Sequence, residues 1–158
     1  MLRLALMRHG EAAYSSNDDH DRPLTDRGIA QTKSAALLLS QYGFTPASII
    51  SSDAKRTRQT TKCIVDCLNV SAPIAYNQML YDSYTTQEFI DCIASNAKGD
   101  TLLVVAHNPD ITYKASNLSV QPLPAAFPTA GILILDFDIV SWSDISARTG
   151  FISFSNFL

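Results

Sequence analysis

Leu2-Arg3-Leu4-Ala5-Leu6-Met7-Arg8-His9-Gly10 is the stretch from which the fold is read. An apolar run stops abruptly at a charged pair, with no polar taper between them. Leu2 to Met7 reads as a short buried strand, although periodicity alone does not separate that from a buried helical turn. Gly10 can turn the chain sharply and bring backbone close to a bound group. Arg8 and His9 would then stand at the carboxyl end of a strand, where open α/β sheets place their ligands. A guanidinium offers a fork for phosphate or carboxylate oxygens, and an imidazole can act as base or nucleophile. Three residues are a weak signal, and a strand end with two solvated side chains fits them equally well.

The rest of the chain supplies the frame. Thr25 suits a helix N-cap, Asp26 its first turn and Gly43 the position past its end, so a helix is expected from Asp26 to Tyr42. Gly28 early in that helix points to close approach by a neighbour. Ser48-Ile49-Ile50 reads as a second strand, followed by a helix capped by Ser52 or Asp53 that runs to about Leu68 and buries Ile64, Val65 and Leu68. Its opening carries Lys55, Arg56 and Arg58, the wrong sign for the positive end of a helix dipole. An anion bound there would explain the choice, as would a plain solvated basic turn. Pro73-Ile74-Ala75 is a brief extended segment and Met79 to Tyr84 a loop. Thr85 or Thr86 caps a helix containing Phe89, Ile90 and Ile93. Thr101-Leu102-Leu103-Val104-Val105-Ala106 is the clearest buried strand, and it too ends in a histidine, His107. Pro109 and Asp110 signal another helix start. Prolines 122, 124 and 128 mark a loop. Two late strands follow, at Gly131–Phe137 and Arg148–Phe154, the last with the alternation of an edge.

This alternation predicts a three-layer α/β/α sandwich with a mostly parallel central sheet. At 158 residues the chain reads as one domain, 1–158, long enough to bury about 70% of its unfolded surface. Hydrophobic residues at 46% and charged ones at 17% give a globular balance. A formal charge of −3 argues against nucleic acid as partner, so any anion site must be a local cluster. No stretch is long enough to span a membrane and no signal peptide is evident, which makes cytoplasmic the default expectation. Cys63, Cys67 and Cys92 contain no Cys-x-x-Cys, and neither disulfide nor zinc is expected; Cys63 and Cys67 share a helix face and read as buried small hydrophobes.

In this frame Arg8, His9, Arg56 and His107 all follow strands on one rim, a set suited to a dianionic tetrahedral group. There is no Walker loop, no cluster of acids for magnesium and no Gly-x-Ser-x-Gly elbow. What remains is metal-free, cofactor-free transfer onto a histidine. Arg8-His9-Gly10, the block Ser52–Thr60 with Arg56-x-x-Gln59-Thr60, and Val105-Ala106-His107-Asn108-Pro109 together resemble the histidine phosphatase superfamily, whose fold is phosphoglycerate-mutase-like. The small size, Arg22-Pro23-Leu24-Thr25 with Gly28, Leu80-Tyr81 and Pro128-Thr129 are similar to its SixA-type phosphohistidine phosphatase branch. The resemblance implies His9 as the nucleophile, and Arg8, Arg56 and His107 as ligands of the phosphoryl oxygens. It implies a phosphohistidine-bearing protein as substrate, or else a small phosphomonoester, with inorganic phosphate as product.

Departures from the family pattern are Asp53 for Pro, Thr57 for Ala, Ala106 for Gly and Asp110 for Gly. Asp53 and Asp110 read first as helix-start acids. Larger relatives carry a glutamate proton donor in a region where this chain offers Asp82, the candidate donor, and then Glu88 inside a helix. Lacking a clear acid, the chain could also be a catalytically weak phospho-group binding module. His20 reads as an exposed loop residue, and Tyr81 and Trp142 as packing.

Overall fold

The structure, a computed structural model, describes residues 1–14 and 18–157. Six strands form one sheet in the order β3-β2-β4-β1-β5-β6, namely β1 (Leu2–Arg8), β2 (Ser48–Ser51), β3 (Ile74–Tyr76), β4 (Thr101–Ala106), β5 (Ile132–Phe137) and β6 (Phe151–Ser155). β3, β2, β4 and β1 are parallel; β5 and β6 continue the sheet antiparallel. Among the described residues four α-helices cover it: α1 (Asp26–Tyr42), α2 (Lys55–Leu68), α3 (Thr86–Asn96) and α4 (Asp110–Leu118). The expected α/β/α sandwich is the one observed.

Alternation along the central strands builds two cores. Leu4, Leu6, Leu102, Val104, Leu133 and Leu135 point to the face covered by α3 and α4, where they meet Phe89, Ile93, Ile111 and Leu118. Ala5, Met7, Leu103, Val105, Ile132 and Ile134 point to the other face, against Ala35, Leu39 and Ile64 of α1 and α2. A strand buried on both sides has no polar position to spare, which is why β1 and β4 read as near-continuous apolar runs. Trp142 is buried and donates its indole N–H to the Gly99 carbonyl at 2.7 Å. β6 is the half-exposed edge.

Several boundaries have an identifiable chemistry. Thr25 caps α1 through the Gly28 N–H, and Gly43 ends it in the left-handed conformation. Thr85 and Glu88 form a reciprocal capping box on α3, which commits the Glu88 carboxylate to a structural task. The cap of α2 differs from expectation: Ala54 occupies that position and no side chain caps the helix. Ser52 and Asp53 lie outside the helix, and their side chains turn to His107 and His20 instead. Pro109 likewise precedes α4 instead of opening it. Asp110 approaches Lys114 at 3.6 Å, as a helix-start acid would. Cys63 is only partly buried and Cys67 is exposed. α2 buries Thr57, Thr60, Thr61 and Ile64, and the cysteines fall on its flank beside Leu24, Ile29 and Lys33. Val65 and Leu68 are also only partly buried.

Candidate active site

Parallel pairing places the ends of β1, β2 and β4 side by side. Arg8 registers with Ala106, and Ser51 with Val105, so His9, Ser52 and His107 emerge together. Backbone bonds hold the turn: the His9 N–H donates to the Ala106 carbonyl at 3.2 Å, and its carbonyl accepts from the Ala130 N–H at 2.9 Å. Gly10 and Gly28 are needed because backbone meets backbone here. A Cβ on Gly10 would stand 2.5 Å from the Gly28 carbonyl oxygen, and one on Gly28 2.0 Å from that of Glu11. The Gly10 N–H donates to Thr60 Oγ1 at 3.2 Å and the Leu24 N–H to Gln59 Oε1 at 2.7 Å. Gln59 and Thr60 therefore tie α2 to the loops around the histidine.

His9 is buried, and its Nδ1 donates to the Gly10 carbonyl at 2.7 Å. That contact fixes the tautomer with the lone pair on Nε2, which accepts from Arg56 Nε at 3.3 Å. The His107 ring lies 5.1 Å away, centroid to centroid, with its Nε2 at 2.8 Å from Ser52 Oγ. His107 Nδ1 and Arg8 Nε are buried and find no partner among the described residues. Arg8 also donates through Nη1 to the Phe127 carbonyl at 3.1 Å. Arg8, His9, Arg56 and His107 are thus brought to one place, and Arg8 and His9 open onto a cleft lined also by Glu11, Tyr14, Arg22 and Thr129.

Burial is the first cause that pushes His9 down to about 4, opposed by the Gly10 carbonyl and reinforced by Arg56, Arg8 and Arg22. Burial, then His9 and Arg56, push His107 down to about 3. Arg8 is lowered from its usual value by burial and by Arg56. The site holds both imidazoles neutral at pH 7, so the His9 Nε2 lone pair carries no proton, as attack requires. His20, by contrast, is raised by its bond to Asp53. Proton NMR titration of the ring C–H resonances is expected to give midpoints near 4 for His9 and near 3 for His107, with His20 above the ordinary ~6.5. Because both native values lie below those of the unfolded chain, the stability they contribute is complete above pH ~6.5 and is lost as pH falls toward 4 and 3. Ordinary titration of His9 would contradict the burial argument.

Residues that sequence reasoning undervalued crowd the mouth. A short 3-10 turn, Asp19–Asp21, lies across it. Asp19 takes hydrogen bonds from Arg56 Nη2 (3.2 Å), Arg22 Nη1 (3.0 Å) and the Tyr81 hydroxyl (2.7 Å), and its backbone carbonyl accepts from Arg56 Nη1 at 2.8 Å. Tyr81 is more than packing: its ring also stands 5.5 Å from that of His107. His20, expected to be an exposed loop residue, is half-buried, 3.0 Å from Asp53 Oδ1 through Nε2 and edge-on to Tyr81 at 4.9 Å. Asp53 is therefore a latch partner, not a helix cap. The polar stretch read as a loop or lid includes residues 15–17, which lie outside the described residues. Asp82, the candidate donor, is exposed, and among the described residues no side-chain hydrogen bond links it to the two histidines or the two arginines. No group of three His, Cys, Asp or Glu among the described residues is placed to hold a metal ion.

The model of the histidine phosphatase superfamily (branch 1) matches residues 4–81. An uncharacterised protein of Mycobacterium tuberculosis is 34% identical over 151 residues, covering 88% of this chain and 91% of that one. The chain belongs to the histidine phosphatase superfamily. Phosphohistidine phosphatase SixA of Escherichia coli is 25% identical over 140 residues, covering 87% of this chain and 86% of that protein. The solved structure of a protein histidine phosphatase SixA complexed with tungstate superposes with a TM-score of 0.82, at 22% identity and with 98% and 96% of the two chains covered, which shows the common fold. Family membership supports a phosphatase. Among the described residues no helix is long and apolar enough to cross a membrane.

Proposed function

We propose that the protein is a metal-independent phosphatase that passes a phosphoryl group through His9, with phosphohistidine on a protein partner as its substrate. The observation that carries this is the His9 clamp. Nδ1 is tied to the Gly10 carbonyl at 2.7 Å, and Nε2 faces Arg56 Nε at 3.3 Å. In the reaction His9 Nε2 forms a bond to phosphorus while the bond to the leaving group breaks. Water then attacks the phosphohistidine and releases inorganic phosphate. A loose, metaphosphate-like transition state needs positioning and charge stabilisation. Arg8, Arg56 and His107 supply both, as donors to the equatorial oxygens. Arginine clamps can do here what a divalent cation does in other phosphoryl-transfer sites. Two names among the relatives, phosphohistidine phosphatase SixA and protein histidine phosphatase SixA, agree with the substrate class.

The leaving group supports the same choice. An alkoxide departs only with a positioned acid; Asp82 is exposed and bonds to none of the four site residues among the described residues, and the Glu88 carboxylate is held in its capping box. Imidazole, with a pKa near ~6.5, leaves as a neutral molecule once the remote ring nitrogen of the phosphohistidine carries a proton. The test is turnover of a phosphohistidine protein beside an aryl and an alkyl phosphate, each with and without a chelator. Phosphohistidine is expected to be cleaved well, the aryl phosphate poorly and the alkyl phosphate hardly at all, with no effect of chelation. Efficient alkyl cleavage abolished by Asp82→Asn would instead establish a small-molecule phosphomonoesterase. Binding of phosphate without turnover of any of the three would leave only a phospho-group binding module.

A further inference from the structure

A carboxylate at the mouth of a phosphate site is an anomaly, because it repels the dianion that the site exists to bind. Asp19 is no loosely placed acid. Its two carboxylate oxygens take three hydrogen bonds, from Arg56, Arg22 and Tyr81. Its turn is pinned from the other side by His20 on Asp53. Of the three donors, a phosphoryl group on its way to His9 would claim Arg56. The Tyr81 and Arg22 bonds do not depend on Arg56, so the carboxylate stays at the mouth, where a group departing from the site would pass.

Resting on the phosphohistidine reading above, we propose that Asp19 determines specificity by accepting a hydrogen bond from the leaving ring, selecting N-phosphorylated imidazole in its protonated form over phosphate esters. In N-phosphoimidazole the nitrogen remote from phosphorus carries the lone pair. Once that nitrogen is protonated the ring is a cation, and cleavage of the P–N bond returns the bonding pair to nitrogen and expels neutral imidazole. The remote N–H keeps its proton throughout, and no acid catalyst is consumed. An ionised carboxylate facing that N–H stabilises the cationic form and so promotes the reactive species. The same carboxylate offers an ester nothing, since it has no proton to give a departing alkoxide. The environment of Asp19 agrees: bonds from Tyr81 and Arg22 and the charge of Arg56 hold it far below the usual carboxylate range. The Tyr81 phenol is pushed up to about 12 and remains a donor. The rings of Tyr81, His20 and His107 cluster beside the Asp19 turn, with centroids 4.9 and 5.5 Å apart.

The experiment compares kcat/KM of the full-length wild type and Asp19→Asn on N-phosphoimidazole and on para-nitrophenyl phosphate, with inorganic phosphate as competitive inhibitor. Asp19→Asn keeps the shape and removes the charge. It is expected to lower kcat/KM for phosphoimidazole by about 10- to 100-fold, the range for losing a hydrogen bond to a charged group. The ratio of kcat/KM for phosphoimidazole to that for the aryl phosphate is expected to fall, and phosphate to inhibit at lower concentration. Tyr81→Phe, which loosens the carboxylate without removing it, is expected to shift the substrate ratio in the same direction by less. Equal losses on both substrates would overturn the proposal, since a structural role moves them together, as would an unchanged ratio. Failure of the wild type to cleave phosphoimidazole while cleaving esters would overturn the parent reading and this one with it.

Discussion

His9→Ala is expected to lose turnover of every phosphorylated substrate by ~10⁴-fold or more, the scale on which removal of a covalent nucleophile is felt. The loss should fall on kcat, because Arg8, Arg56 and His107 remain to bind the phosphoryl group. The same variant is expected to retain most of its affinity for inorganic phosphate or tungstate, measured by calorimetry. The substitution opens a cavity at a buried position, so folding of the variant is checked by circular dichroism beside the kinetics. His9 is held by its backbone bonds to Ala106 and Ala130 as well as by its ring, and removing a buried imidazole removes a desolvation cost along with its contacts. Residual activity within tenfold of wild type would remove His9 from the mechanism.

Arg56→Ala is expected to cost ~100-fold or more in kcat/KM, in line with losing a preorganised donor to transition-state charge. The structure adds a reason for the size of that effect. One guanidinium meets His9 through Nε and the Asp19 turn through both Nη atoms, so it joins the nucleophile to the mouth. Arg56→Lys is expected to recover only a small part, because a point charge cannot bond on two edges at once. Steady-state kinetics on phosphohistidine check both variants. Full rescue by lysine would show that only net charge matters at this position.

What the sequence disclosed about this molecule depended on where its signals lay. β1 and β4 are buried on both faces, and their apolar runs ending in Arg8-His9 and His107 could be read directly, as could the caps of α1 and α3. Arg56 was visible as a violation, a cation in the first turn of a helix where dipole rules favour acids. In the structure Arg56 turns inward to His9, while Arg58 packs on the Tyr76 ring at 4.0 Å and Lys55 is exposed. Asp19, His20 and Tyr81 were not legible as a group. They are separated by up to 62 positions, carry no local periodicity and meet only because the turn after β1 folds back across the mouth. The cap of α2 failed for a related reason: Ser52 and Asp53 both obey capping preferences, but each has a stronger tertiary partner. The cysteines show the limit of periodicity, since two residues four apart share a face without that face being the one the helix buries.

Rapid-quench trapping during turnover of a ³²P-labelled phosphohistidine protein tests the central claim most directly. A phosphoenzyme stable in base and labile in acid is predicted, with the label mapped by mass spectrometry to His9 and absent from His9→Ala. An acid-stable ester label on a serine or threonine, or a label that persists in His9→Ala, would contradict it.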